Sequence, residues 1–219
     1  MFKKILSLFI ILIPINAFAL IEVDITRGNL NPLPLAVSPL SIDEKSRIGF
    51  EKILKKENIG SEISMIVENN LKTSGLFNPL DKKAFLQAPD IANLKPRFED
   101  WNLIKAQALI TGKVNYVDDK LRVEFRLWDV LAAKEMMALA FTTVPNNWRR
   151  VGHIISDKVY ERLTGEKGYF DTRIIYVSEE GPKTQRIKKL AIMDQDGENN
   201  KFLTLGNELV LTPRFNPTS

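Results

Sequence analysis

The chain has 219 residues, 44% of them hydrophobic and 26% charged, and its 31 basic against 27 acidic side chains leave a formal charge of only +4. So even a balance, with the signs interspersed, excludes a nucleic-acid footprint or a polybasic membrane patch, both of which need clustered positive charge. Cysteine is absent, which excludes disulfide staples and thiol chemistry, so the fold has to rest on apolar burial.

The first 19 residues read as an export signal. Lys3 and Lys4 give a basic start, Ile5 to Ile13 is an apolar run, Pro14 breaks it, and Ala17-Phe18-Ala19 fits a small-x-small cleavage site. The run is about half the ~20 residues that span a bilayer, so cleavage after Ala19 is expected rather than a membrane anchor, with no transmembrane segment left afterwards. Loss of the two lysines lowers the formal charge from +4 to +2. From Leu20 the alternation of Ile21, Val23 and Ile25 suits an extended segment that passes into a loop from Arg27 to Pro34. Such a segment fits a strand added to a partner's sheet and a strand of the protein's own sheet equally well. Leu35 to Leu40 predicts a short buried strand. Asp43 to Asn58 mixes Ile48, Phe50, Ile53 and Leu54 with many charges, and its basic run from Lys52 to Lys56 reads as a solvated helix face. The next helix is better marked, with Ser61 as N-cap, an apolar stripe of Ile63, Ile66, Val67 and Leu71, and Gly75 as its end. Phe77 to Leu80 then starts a strand.

Lys82 to Pro96 is a connector broken by Pro89 and Pro96, and Phe98, Trp101 and Ile104 predict a short helix. Three strands follow, over 108–117, 120–129 and 135–144, with Asp118-Asp119 as the first turn. Their alternation predicts an antiparallel meander with one buried face, backed by helices on a single side. Trp128 falls on the nominally wet face, which makes it a candidate inter-domain contact. From Trp148 a helix places Val151, Ile155, Val159 and Leu163 on one face, with Ile154 alongside, and Arg149, Arg150, Asp157, Lys158, Glu161 and Arg162 on the other. Gly165 suits its left-handed end. Beyond Gly168 the rhythm changes to short strands over 173–178, 187–193, 201–205 and 209–212, separated by Glu180-Gly181-Pro182, Asp194-Gln195-Asp196-Gly197 and Gly206-Asn207. Four short strands in about forty residues is the content of one propeller blade. A lone blade leaves its faces uncovered, so a truncated propeller is expected.

Candidate chemistry is sparse. His153 is the only histidine, and Ser156 follows at a spacing that can share its face, but no Gly-x-Ser-x-Gly elbow accompanies them. The expected role of His153 is a packed or hydrogen-bonded contact with the β-repeat region. Asp194, Asp196 and Gly197 match the first half of a calcium loop, yet its twelfth position is Leu205, so a plain turn is expected. Gly165-Glu166-Lys167-Gly168 is too short for a phosphate-binding fingerprint. No catalytic residue, metal ligand or cofactor site is predicted.

Several segments carry a family resemblance: Leu71 to Pro79, Gly152-His153, Ser156 to Glu161, Leu163-Thr164-Gly165, Thr172-Arg173-Ile174 with Tyr176-Val177, and the aromatic-x-Pro element in Pro213 to Pro217. In this order within one exported chain they resemble the TolB family, the periplasmic components of the bacterial Tol-Pal system. The resemblance implies an α+β fold: a signal peptide over 1–19, a mixed sheet with two main helices on one face over 20–167, and about one blade of an all-β propeller over 168–219. It implies a monomeric, non-enzymatic periplasmic adaptor without cofactors, linking TolA to Pal and supporting outer-membrane integrity and cell division. In the family the mature N-terminal segment engages TolA, a place that Glu22, Val23, Asp24, Ile25, Thr26, Arg27, Gly28 and Asn29 occupy here. Pal is taken by the propeller, most of which is expected to be missing. The stretch from Asp43 to Asn58 is longer than the family pattern. Two other classes fit an exported chain of this outline. A propeller-capped hydrolase predicts a nucleophile motif, and a sugar- or peptide-binding module predicts a pocket at the sheet face.

Overall fold

A computed structural model describes residues 31–216. The signal segment and the Glu22 to Asn29 stretch assigned to TolA lie outside the described residues. In chain order the elements are β1 (Leu33–Val37), β2 (Ser41–Ile42), α1 (Glu44–Leu54), α2 (Ile59–Thr73), β3 (Phe77–Pro79), α3 (Pro89–Leu94), α4 (Phe98–Leu103), β4 (Ala108–Val117), β5 (Lys120–Asp129), β6 (Lys134–Thr143), α5 (Trp148–Thr164), β7 (Arg173–Glu180), β8 (Ile187–Asp194) and β9 (Lys201–Phe202).

The first sheet runs β3-β1-β4-β5-β6, with β2 pairing further along β4. β1 is parallel to both neighbours, Leu33 opposite Phe77 and Leu35 opposite Ala108, because the α1–α2 crossover returns the chain to the same end before β3. β4, β5 and β6 form the expected antiparallel meander. Asp118 and Asp119 both take positive φ, 50° and 59°, the two-residue turn whose twist matches its flanking strands.

Alternation along β4 and β5 sends Ile110, Val114, Leu121, Val123, Phe125 and Leu127 to one face, where they meet α1, α2 and α5. So the sheet carries three long helices on this face. The third is α1, formed by the charged stretch. Its Asp43 N-cap accepts from Ser46 N at 2.7 Å, and Phe50 packs edge-on against Tyr116 at 5.3 Å, which docks α1 on the far end of β4. The expectation of helices on a single side is corrected, since Ala36, Leu109 and Trp128 face a second, smaller core closed by Trp101 and Ala92 of α4 and α3. Of these two six-residue helices, α4 is the short helix expected around Phe98 and Trp101, whereas α3 lies in the stretch read as a connector. α2 also begins earlier than its predicted cap. Asn58, not Ser61, accepts at the N-terminus, from Ser61 N at 3.1 Å. The extra turn buries Ile59 and places Gly60 where a Cβ would lie 2.2 Å from the Leu40 carbonyl oxygen.

The second sheet is β7-β8-β9, antiparallel throughout. Of the four strands expected there, the third shortens to Lys201–Phe202 and the fourth, over 209–212, does not form. Leu209 and Leu211 are 82% and 62% exposed, so their alternating side chains find no surface to pack on.

Candidate functional site

The two sheets meet along a polar seam built on α5. Its stripe of Val151, Ile155, Val159 and Leu163 is spent on the first core, as the sequence predicts. A second arc, Gly152, His153 and Ser156, is also buried, and it faces α2. Gly152 sets that approach: a Cβ there would lie 2.9 Å from Ile66 Cγ2. The closeness lets Asn70 of α2 reach α5, while the turn after β8 brings Gln195 and Asp196 onto the same spot.

Asn70 organises the seam. Its Oδ1 accepts from Gln195 Nε2 at 2.9 Å, and its Nδ2 faces both His153 Nδ1 at 2.9 Å and Ser156 Oγ at 3.0 Å. With Nδ2 turned to the ring, His153 Nδ1 accepts, and the network assigns the imidazole hydrogen to Nε2. Nε2 itself is buried without a hydrogen-bond partner, its nearest carboxylate oxygen being Asp196 Oδ2 at 3.6 Å. Asp196 is held by Arg149 in turn. Burial pushes the pKa of His153 down, the Asp196 and Asp194 carboxylates oppose that, and Arg149 adds to it. Ser156 has no exposed surface, and its hydroxyl donates to the Gly152 carbonyl at 2.9 Å, so it is not placed to attack a substrate.

Further along α5, Asp157 accepts from Phe170 N at 2.6 Å and Asp171 N at 3.1 Å, and Arg150 grips the Asp171 carboxylate from 3.1 Å. Burial raises the Asp157 pKa against those two N–H bonds. Phe170 is fully buried in the first core and stands edge-on to Tyr160 at 5.8 Å. Two clefts flank the turn. One, of ≈ 250 Å³, lies between α5 and β8 and is lined by Arg150, His153, Asp171, Arg173, Asp194 and Lys201. The other, of ≈ 580 Å³, lies between α2 and the turn.

The structure separates the two residues named as inter-domain candidates. His153 sits at the seam. Trp128 spends its ring on Phe98 at 5.8 Å and its N–H on Thr111 Oγ1 at 2.9 Å, both within the first unit, because its face of the sheet is covered by α4. Asn70, Arg149 and Gln195, which bridge the units, escape sequence reasoning: Asn70 lies off the apolar stripe of α2 and is buried here between α5 and the turn after β8.

A mixed sheet under helices, tied through such a seam to a short antiparallel sheet, defines an α+β domain that leads into propeller-type β structure. Residues 21–136 match the family described as the TolB amino-terminal domain, and residues 160–219 match the one described as the TolB beta propeller domain. The chain therefore belongs to the TolB family. All 219 residues align at 83% identity with the Tol-Pal system protein TolB of Pelagibacter ubique (strain HTCC1062), covering 49% of that protein. The crystal structure of TolB from Acinetobacter baumannii superposes with a TM-score of 0.63 at 26% identity, over 78% of this chain and 38% of that one. The chain thus spans about half the length of its curated relative. Membership places it among Tol-Pal system components, a periplasmic family. Among the described residues no helix is long and apolar enough to cross a membrane.

Proposed function

We propose that the protein is a non-enzymatic periplasmic adaptor of the Tol-Pal system that links TolA to Pal, supporting outer-membrane integrity and cell division. Glu22 to Asn29 take TolA, and the propeller takes Pal. The observation that carries this reading is the 83% identity to a Tol-Pal system protein along every residue of the chain. The buried Ser156 supports the non-catalytic part, since its hydroxyl is committed to Asn70 and the Gly152 carbonyl. The test compares a chain beginning at Leu20 with one beginning at Asn31, which keeps β1 whole from Leu33. In a binding assay with the periplasmic part of TolA, the longer chain binds and the shorter does not. Equal binding by the two removes the assignment of the TolA segment.

A further inference from the structure

One polar atom at the seam is left over by its hydrogen-bond network, and its surroundings suit a metal ion. His153 is 2% exposed, and its Nε2, without a partner, lies near the carboxylates of Asp194, the last residue of β8, and Asp196 on the turn that follows. A buried ring nitrogen with nothing to bond is costly, and native structures rarely leave one so. His153, Asp194 and Asp196 each present a ligand atom within 4.8 Å of the others, and the Nε2 to Asp196 Oδ2 separation is 3.6 Å. Asp196 and Asp194 are the carboxylates that act most strongly on the ring, against burial and Arg149, while Arg150 and Arg173 pair with Asp171 and Asp194.

We propose that His153, Asp194 and Asp196 form a binding site for a divalent transition-metal ion of the zinc class. One imidazole nitrogen and two carboxylate oxygens are ligands that zinc holds at about 2.0–2.2 Å, with a fourth position left for water. Calcium and magnesium are the wrong ions, since they ask for about six or more oxygen ligands and no nitrogen. Each ligand also has an outer partner of the kind that orients metal ligands. Asn70 stands behind His153 Nδ1, Arg149 holds Asp196, and Asn199 Nδ2 donates to Asp194 Oδ2 at 2.5 Å. Metal on Nε2 moves the ring hydrogen to Nδ1. Rotating the Asn70 amide by half a turn offers Oδ1 to that hydrogen and to the Ser156 hydroxyl, which turns from the Gly152 carbonyl to donate to it, and the same rotation in Gln195 restores the Asn70–Gln195 bond, so oxygen and nitrogen exchange places and the heavy atoms stay put. The imidazole keeps one hydrogen throughout and releases none. Because His153 belongs to α5 and the aspartates to the end of β8 and the turn after it, the ion would fasten the second sheet to the first unit.

The single histidine makes the test unambiguous. Zinc is titrated into the chain without any histidine tag, with free ion set by a competing chelator, and the imidazole 15N resonances are followed by NMR. One ion binds per chain, the Nε2 resonance shifts, and the thermal midpoint rises, while Mg²⁺ and Ca²⁺ do neither. Asp194→Asn, at the end of β8 where the side chain is only partly exposed, preserves side-chain size and weakens zinc binding by about tenfold or more, as does His153→Gln. Absence of stoichiometric binding, an unmoved imidazole resonance in the unsubstituted chain, or binding that survives both substitutions overturns the site.

Discussion

Asp157 clamps the start of the second sheet's chain to α5, and Asp157→Ala measures what that clamp is worth. Its two acceptor bonds, to Phe170 N at 2.6 Å and Asp171 N at 3.1 Å, lie at the root of the linker. A hydrogen bond to an ionised group contributes roughly 1.5–3 kcal/mol, so the pair alone would supply about 3–6 kcal/mol. Burial works against it: desolvation is the largest single effect on the group, and with the neighbouring Asp171 charge it leaves the carboxyl pKa raised despite both bonds. The net loss expected for Asp157→Ala at neutral pH is therefore about 1–3 kcal/mol. Asp157→Asn keeps one carbonyl acceptor and sheds the charge, and costs about half as much. The pH dependence has a definite sign. A group whose folded pKa is raised binds its proton more tightly in the native state, so its contribution is complete below the unfolded value, about 3.9, and fades as pH climbs through the folded one. Neither variant titrates at this position. The stability gap between the parent chain and each variant thus widens on acidification from neutral pH. Urea unfolding followed by tryptophan fluorescence and circular dichroism at several pH values reads both effects. A gap for Asp157→Ala below about 0.5 kcal/mol at neutral pH, the scale of an ordinary surface change, or one that narrows on acidification, refutes the reasoning.

Val123→Asp places a carboxylate at a fully buried position between Val114 and Phe141 of the neighbouring strands. An unpaired charge there costs several kcal/mol, comparable to the whole stability of a domain, and the cooperative unfolding transition disappears; a transition of parental size contradicts this. Gly152→Ala drives a Cβ to within 2.9 Å of Ile66 Cγ2 and 3.0 Å of Ile66 Cβ. Overpacking of roughly 1–3 kcal/mol exceeds the helix-propensity gain of about 1 kcal/mol, so the urea midpoint falls, and a rise would show that α2 and α5 can separate freely. Asp43→Ala removes the N-cap of α1 and costs about 1 kcal/mol at neutral pH. The Ser46 N–H holds the Asp43 pKa low, so this contribution is present above the unfolded carboxylate value and lost as pH falls through the folded one. The gap measured by denaturant titration accordingly closes in acid, the opposite of Asp157.

How much of this was legible in the residues depends on whether the signal was local. The meander was, because Leu121, Val123, Phe125 and Leu127 repeat with the period of a pleat, and the structure buries all four. The stripe of α5 and the glycine that ends it were too, Gly165 standing at φ 75°. The second core was not: Trp128 alternates onto a face that looks wet until α4, from far earlier in the chain, is laid over it. The fourth strand of the β repeat was over-read from Leu209 and Leu211, whose alternation is necessary for a strand but not sufficient without a neighbour to pair with. At the seam, His153 was visible as a lone titratable residue, while its setting depended on three segments that are distant in sequence. A buried asparagine bonded across 125 residues leaves no periodic trace.

The seam joins two kinds of contact with unequal weights. Burial of Phe170 against Tyr160 and the first core contributes on the order of 1.5–3 kcal/mol and does not depend on pH or salt. The Arg150–Asp171 pair is worth about 0–1 kcal/mol because its guanidinium is largely exposed. Gln195 and Asp196 add a neutral hydrogen bond and a half-buried ion pair, whose desolvation consumes much of what their attraction returns. Attachment of the second sheet is therefore set by the aromatic linker, and the turn after β8 contributes direction more than strength. That division explains why a polar network sits where an apolar one would have bound more tightly: the hydrogen bonds of Asn70 to Gln195, His153 and Ser156 place the heavy atoms of α2, α5 and the turn in one arrangement, whereas a greasy patch of the same size would accept many.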